Sequence, residues 1–230
     1  MSTWRKNILA LTLALMLMLG VTKPCYAGIE HDLQLWTPVT LDARIYRNLR
    51  GYLEVNPRIG DNITQMSQLL IRPALQYRVN EGCSFFAGYL WGTTYLNGDV
   101  LHEHRLWEQV LLEKDIKRLS ILNRTRLEQR MFPHLADTGN RLRHMLKLEY
   151  DLNSKLYLVA SDELFINLNS VKNGPQAGID QNRIFAGVGL RPLKRTRVEA
   201  GYQYQWINRT DQFDQGNHAI LIQTFIGIKD

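Results

Sequence analysis

Cysteine is nearly absent from the 230 residues, with only Cys25 and Cys83. Cys25 falls in an N-terminal segment that reads as a cleaved export signal, so the mature chain keeps Cys83 alone. One thiol closes no intrachain disulfide and builds no cysteine metal site. Proline-rich and low-complexity stretches are missing too, as is any repeat of solenoid length, and no linker divides the chain. After the first 27 residues no run of about 20 apolar residues occurs, which excludes a membrane-spanning helix. G-x-S-x-G, H-E-x-x-H and P-loop patterns are lacking, and nothing calls for a cofactor.

Positive charge is present in modest excess. The formal net charge is +6, and part of it belongs to the leader. "MSTWRK" followed by "NILALTLALMLMLGV" has the basic start and short apolar run of a secretory signal, with "CYA" before the cleavage point. Residues 1–27 are therefore expected to be removed, leaving one domain over 28–230. Their loss takes away Arg5, Lys6 and Lys23 and no acid.

The heptapeptide "RTRLEQR" (124–130) places a charge at every second position. A helix would scatter these charges around its circumference, whereas a strand gathers Arg124, Arg126, Glu128 and Arg130 on one face. The same two-residue period recurs along the chain and predicts ten strands, at 50–57, 64–79, 83–96, 100–113, 117–131, 139–151, 155–168, 178–191, 196–208 and 217–228. In "TRVEAGYQYQWIN", Arg197, Glu199, Gln203 and Gln205 oppose Val198, Tyr202, Tyr204 and Trp206.

Short connections alternate with mostly longer ones rich in Gly, Asn and Asp, with "NGD" at 97–99 as the exception. The short set is "NEG", "KDI", "LNS" and "PLKR"; "RIGDNI", "PHLADTG", "NSVKNGPQA" and "TDQFDQG" form the long one. Tyr77, Tyr89, Trp91, Tyr95, Tyr150, Tyr202, Tyr204 and Trp206 band the apolar face. This combination predicts an all-β fold, a transmembrane antiparallel up-and-down β-barrel of about ten to twelve strands with a polar Arg/Glu-rich lumen. A soluble sandwich or lipocalin-like barrel also alternates, but it does not carry arginine and glutamate on nearly every polar face. An even strand count is expected if both termini share one side. Residues 32–45 stay unassigned: they extend the first strand across a bulge, lie in the lumen, or raise the count to twelve.

The inward positions predicted from this alternation are Arg50, Glu54, Arg72, Arg78, Glu103, Arg105, Arg118, Arg124, Arg126, Glu128, Arg130, Arg141, Arg143, Lys147, Glu149, Glu163, Arg183, Arg197 and Glu199. Guanidinium and carboxylate groups on neighbouring strands form charge-assisted, often bidentate bonds. Two readings follow: a ladder that fills and rigidifies a small barrel, or a narrow lumen in which the surplus positive charge favours small anionic solutes. About ten strands enclose little free space. Outer-membrane lipid is the expected partner on the outside, and nucleic acid is excluded by export and by the interleaving of acids with bases.

An enzyme at the loop rim is the rival class, a hydrolase of lipid or peptide. Its candidates are Asp162, Glu163, Asp180, Asp211, Asp214, His218, His102 and His104. His102 and His104 share a strand face, but two ligands do not make a metal site. The expected answer is no catalytic residue.

The run "ALQYRV", "FFAGYLW", "EHRLWEQ", "RTRLEQR", "RLRHMLKLEYDL", "SDELFINLN", "IDQNRIFAGVGL", "VEAGYQYQ" and "NHAILI" resembles, in order and spacing, the bacterial outer-membrane β-barrel family catalogued as domain of unknown function 2490. The resemblance covers about Leu33 to Ile228. It implies an outer-membrane location and a barrel and carries no activity. The family's arginines and acids correspond here to Glu103, Arg105, Arg124, Arg126, Glu128, Arg130, Arg141, Arg143, Glu163, Asp180, Asn182 and Arg183.

Overall fold

The structure is a computed structural model that describes residues 28–229 apart from 97, 134 and 210–212. The expected leader, with Cys25, lies outside the described residues. Among the described residues twelve strands form one closed sheet: β1 Ile29–Trp36, β2 Val39–Tyr46, β3 Leu49–Gly60, β4 Gln65–Asn80, β5 Cys83–Leu96, β6 Asp99–Ile116, β7 Leu119–Met131, β8 Gly139–Asp151, β9 Leu156–Asn167, β10 Gly178–Leu193, β11 Thr196–Ile207 and β12 Asp214–Lys229. From β2 to β12 each strand pairs antiparallel with the next. No helix among the described residues is long and apolar enough to cross a membrane.

Residues 32–45 belong to the wall. β1 and β2 run end to end on either side of Thr37 and Pro38 and together occupy one position between β12 and β3, so the barrel has eleven staves. The break falls at Pro38, which has no N–H to give to a ladder. Its carbonyl still accepts from the Thr224 amide at 2.9 Å, and the Thr37 amide reaches the Pro57 carbonyl at 3.2 Å. An odd number of staves makes the last and first strands run the same way. The closure is therefore parallel, β12 pairing first with β1 and then with β2. The expectation of an even count is corrected here, because β1 starts beside Asp214 at the long-loop end and β2 finishes at the short-turn end.

The strand faces separate by chemistry as the two-residue period requires. Leu75, Tyr77, Leu106, Leu158, Ile184, Val188, Tyr202 and Ile220 are exposed on the outer wall. Arg72, Arg105, Arg126, Glu128, Arg141, Arg143 and Glu199 are buried inside. This apolar outside around a polar interior is the inverse of a soluble globule and is the construction of a transmembrane β-barrel.

Aromatic side chains share the lumen with the charges. Leu70, Phe86, Leu90 and Trp107 form one buried apolar cluster, and Trp36, Tyr157, Val159, Phe185 and Leu221 form another on the opposite wall. Glycine makes room for them. A Cβ on Gly88 would come within 2.6 Å of the Trp107 ring and of the Ala74 methyl, and one on Gly189 would collide with the Tyr157 ring.

At the long-loop end, Asp61, Asn62 and Ile63 take successive positive φ values of 51°, 54° and 64°. For Ile63 this is a strained, left-handed conformation. Asp32 of β1 holds the turn, accepting from the Asp61 and Asn62 amides at 3.3 and 2.9 Å.

Candidate functional site

The lumen is built by register. In β7 the inward residues are Arg124, Arg126, Glu128 and Arg130, and Glu128 stands opposite Arg141 of β8. Its carboxylate, fully buried, receives Arg141 at 2.7 and 3.1 Å and Arg143 at 2.7 Å, with Arg105 at 3.6 Å and Arg126 at 3.8 Å. Arg143 also donates to Glu163 at 2.7 and 2.9 Å, and Arg124 reaches the same carboxylate at 2.7 Å. Toward the long loops, Glu103 takes a bidentate bond from Arg105 at 2.8 and 2.7 Å and another from Arg130 at 2.6 Å. Asp180, placed inward by a register shift in β10, binds Arg141 at 2.8 Å.

A second group lies toward the short turns. Glu199 receives the Lys147 ammonium at 2.7 Å, the Tyr157 hydroxyl at 2.9 Å and the Gln223 amide at 2.6 Å. Glu149 holds Lys147 at 3.0 Å and Arg197 at 3.4 Å. On β3 and β4, Glu54 binds Arg72 at 2.5 Å and the Tyr52 hydroxyl at 2.8 Å. Arg50 pairs with Asp42.

Most of the predicted inward residues therefore meet in the lumen. Arg78 differs: it is exposed at the short-turn mouth, and Arg118 sits in the turn between β6 and β7. Two residues that the sequence reading left out are central. Arg58, expected in a loop, faces inward from β3 and is buried; Trp36, in the unassigned segment, faces inward at the end of β1.

The lumen is divided into two cavities. One of about 490 Å³ opens toward the short turns and one of about 420 Å³ toward the long loops. Arg58, Arg72, Arg143 and Arg183 line both, and so form the waist between them. Over the cavity on the long-loop side the β9–β10 connection folds inward, with Val171 fully buried and Gly174 close to Leu135.

The residues considered for catalysis do not converge. Glu163 points inward, but Asp162 points outward and accepts from Asn182 at 2.7 Å. Asp214 is taken by the Trp206 indole at 3.0 Å. His102 and His104 stack on Trp91 and Tyr89, and His218 contacts His31 and Tyr202 on the outer wall. Asp211 lies outside the described residues.

Residues 33–217 match the model of the family described as "Protein of unknown function (DUF2490)". The chain belongs to this family. An uncharacterized protein from Methylorubrum extorquens is 28% identical over 221 residues, covering 94% of this chain and 96% of that relative. Two solved structures are also similar to this chain. The NanC porin has 10% identity and a TM-score of 0.47 over 80% of this chain and 94% of its own. A loop L8 deletion mutant of OmpT, an outer membrane protein of Vibrio cholerae, has 13% identity and a TM-score of 0.42 over 72% of this chain. The chain spans 59% of that OmpT variant's length. In this DUF2490 chain the lumen network is carried by residues inside the matched region, except for Glu199's partner Gln223 beyond its end.

Proposed function

We propose that this DUF2490 protein resides in the bacterial outer membrane as a narrow barrel that admits small anions through a waist of arginines. The observation that carries the reading is the meeting of the two cavities at Arg58, Arg72, Arg143 and Arg183. Among the buried charged residues basic groups outnumber carboxylates, so the interior keeps a positive bias after its ion pairs are formed. Rings of arginine select anions at close quarters. Membrane placement is supported by the apolar outer wall, by exposed Tyr77 and Tyr150 toward the short turns, and by exposed Tyr95 at the long-loop end. The outer wall then meets membrane lipid.

A second reading is supported by the aromatic filling. Trp36, Trp107 and Phe165 occupy space beside the ion pairs, as expected of a barrel whose role is structural. Proteoliposome swelling separates the two. Faster entry of a small carboxylate than of a neutral solute of equal size supports the anion path. No solute entry at all supports the filled barrel.

A further inference from the structure

We propose that Arg58 and Arg183, gathered on Trp36, form a discrete binding site for a small carboxylate or phosphate at the waist of the lumen. The inference deepens the anion-path reading and rests on it for its biological role, but the site stands on its own geometry.

Trp36 sits next to the break in the first stave, and the short β1–β3 ladder pairs it in register with Arg58. The Arg58 guanidinium lies 3.7 Å from the centroid of the Trp36 ring, and that of Arg183, from β10, lies 5.2 Å from the same centroid. The indole N–H is occupied by Gln34 at 2.6 Å, which fixes the ring. Two guanidinium groups are thereby held close together on one aromatic platform, each facing both cavities.

What distinguishes these two from their neighbours is their partners. At the waist, Arg72 has Glu54, and Arg143 has both Glu128 and Glu163. Among the described residues neither Arg58 nor Arg183 has a carboxylate within ion-pair distance. Arg58 donates to the neutral amide of Gln68 at 2.9 Å, and its Nε is buried without a partner. Arg183 donates to Gln181 at 3.3 Å and, with the Gln205 amide turned to satisfy its surroundings, to that oxygen at 3.0 and 3.2 Å. Arg183 also rests 4.5 Å from the Phe165 centroid.

Amides and ring faces orient a guanidinium but leave its charge in place. Two such charges confined together repel, and burial makes each of them costly. An anion between them removes both penalties. The planar five-donor fork matches carboxylate and phosphate oxygens bidentately, a geometry that a spherical halide does not use. The cavities on either side, at about 490 and 420 Å³, leave room for the rest of a small solute.

The test is a titration of the folded, detergent-solubilised protein with sodium phosphate and, separately, sodium acetate. Sodium chloride keeps the ionic strength constant, and tryptophan fluorescence is followed. The site predicts a saturable change with at least one of the two anions. Arg58→Gln and Arg183→Gln should each weaken it at least tenfold, Arg78→Gln at the mouth should leave it unchanged, and Trp36→Phe should remove most of the signal. Far-UV circular dichroism and heat-modifiable gel migration verify folding; if a glutamine variant does not fold, Arg58→Lys and Arg183→Lys retain the charge and should still weaken the titration. A linear, non-saturating response, or a saturable one indifferent to both arginines, overturns the site. Saturation in a barrel that passes no solute leaves the site standing and removes the path. An anion-selective barrel without saturation does the reverse.

Discussion

Glu128 and Arg141 face each other across β7 and β8, and the guanidinium donates twice to one carboxylate oxygen, at 3.1 and 2.7 Å. The other oxygen takes Arg143 at 2.7 Å, so one fully buried acid holds two arginines and stands near two more. Removing one member of a buried ion pair costs about 3–5 kcal/mol, because the remaining charge stays confined. Glu128→Ala is accordingly expected to lower the unfolding free energy of the folded protein in detergent, read from urea unfolding, by that order. Glu108→Ala, on the outer wall where Glu108 accepts from Gln129 at 3.1 Å, removes no member of that network and should lower it by less than about 1 kcal/mol. Equal effects of the two substitutions would count against the network.

Gly88 leaves space for a lumen tryptophan. A methyl there would come within 2.6 Å of Trp107 and of Ala74, so Gly88→Ala should destabilise by about 1–3 kcal/mol through overpacking. The check is the same urea unfolding, and the double variant Gly88→Ala with Trp107→Leu should recover part of the loss.

The two-residue period made the wall legible and also set its limits. In "RTRLEQR" the local period is enough, because each of its charges lies on the face that β7 turns inward. Trp107 shares a face with Arg105 and Gln109, so the same alternation places it inside; aromatic content alone pulls such a residue toward the lipid belts. Arg58 was hidden by "RIGDNI", whose Gly, Asp and Asn signal a turn that starts only after Gly60. Trp36 was hidden by Pro38, which interrupts the pattern although the chain continues in the wall. The parallel closure was hidden for a different reason. Strand direction at the seam depends on how many staves the sheet needs to close, a global quantity that no local period encodes.

Asp162 and Asn182 bind each other at 2.7 Å on the outer wall, between apolar neighbours such as Leu164 and Ile184. A carboxylate on a lipid-facing surface is unfavourable to a degree that depends on depth. Replacing both residues by leucine should stabilise the protein in lipid vesicles by about 1 kcal/mol or more. Urea unfolding in vesicles measures this; a lower midpoint in the double variant would contradict a lipid-facing position.

Asp32 ties the first stave to the β3–β4 turn by accepting from the Asp61 and Asn62 amides. Asp32→Ala removes an acceptor comparable to a helix cap, at a cost of about 0.5–2 kcal/mol. Amide hydrogen exchange should accelerate at Asp61 and Asn62 and remain slow in the β7–β8 ladder. Unchanged exchange at both amides would show that the left-handed turn holds itself.

The proposed function makes the lumen a passage biased toward anions by arginines at its waist. The reversal potential of the purified barrel in a planar bilayer under a potassium chloride gradient tests it most directly. An anion-preferring lumen gives a sign corresponding to chloride preference, reduced when Arg58 and Arg183 are both replaced by glutamine. A cation-selective potential, or a selectivity unaffected by that double replacement, would contradict it.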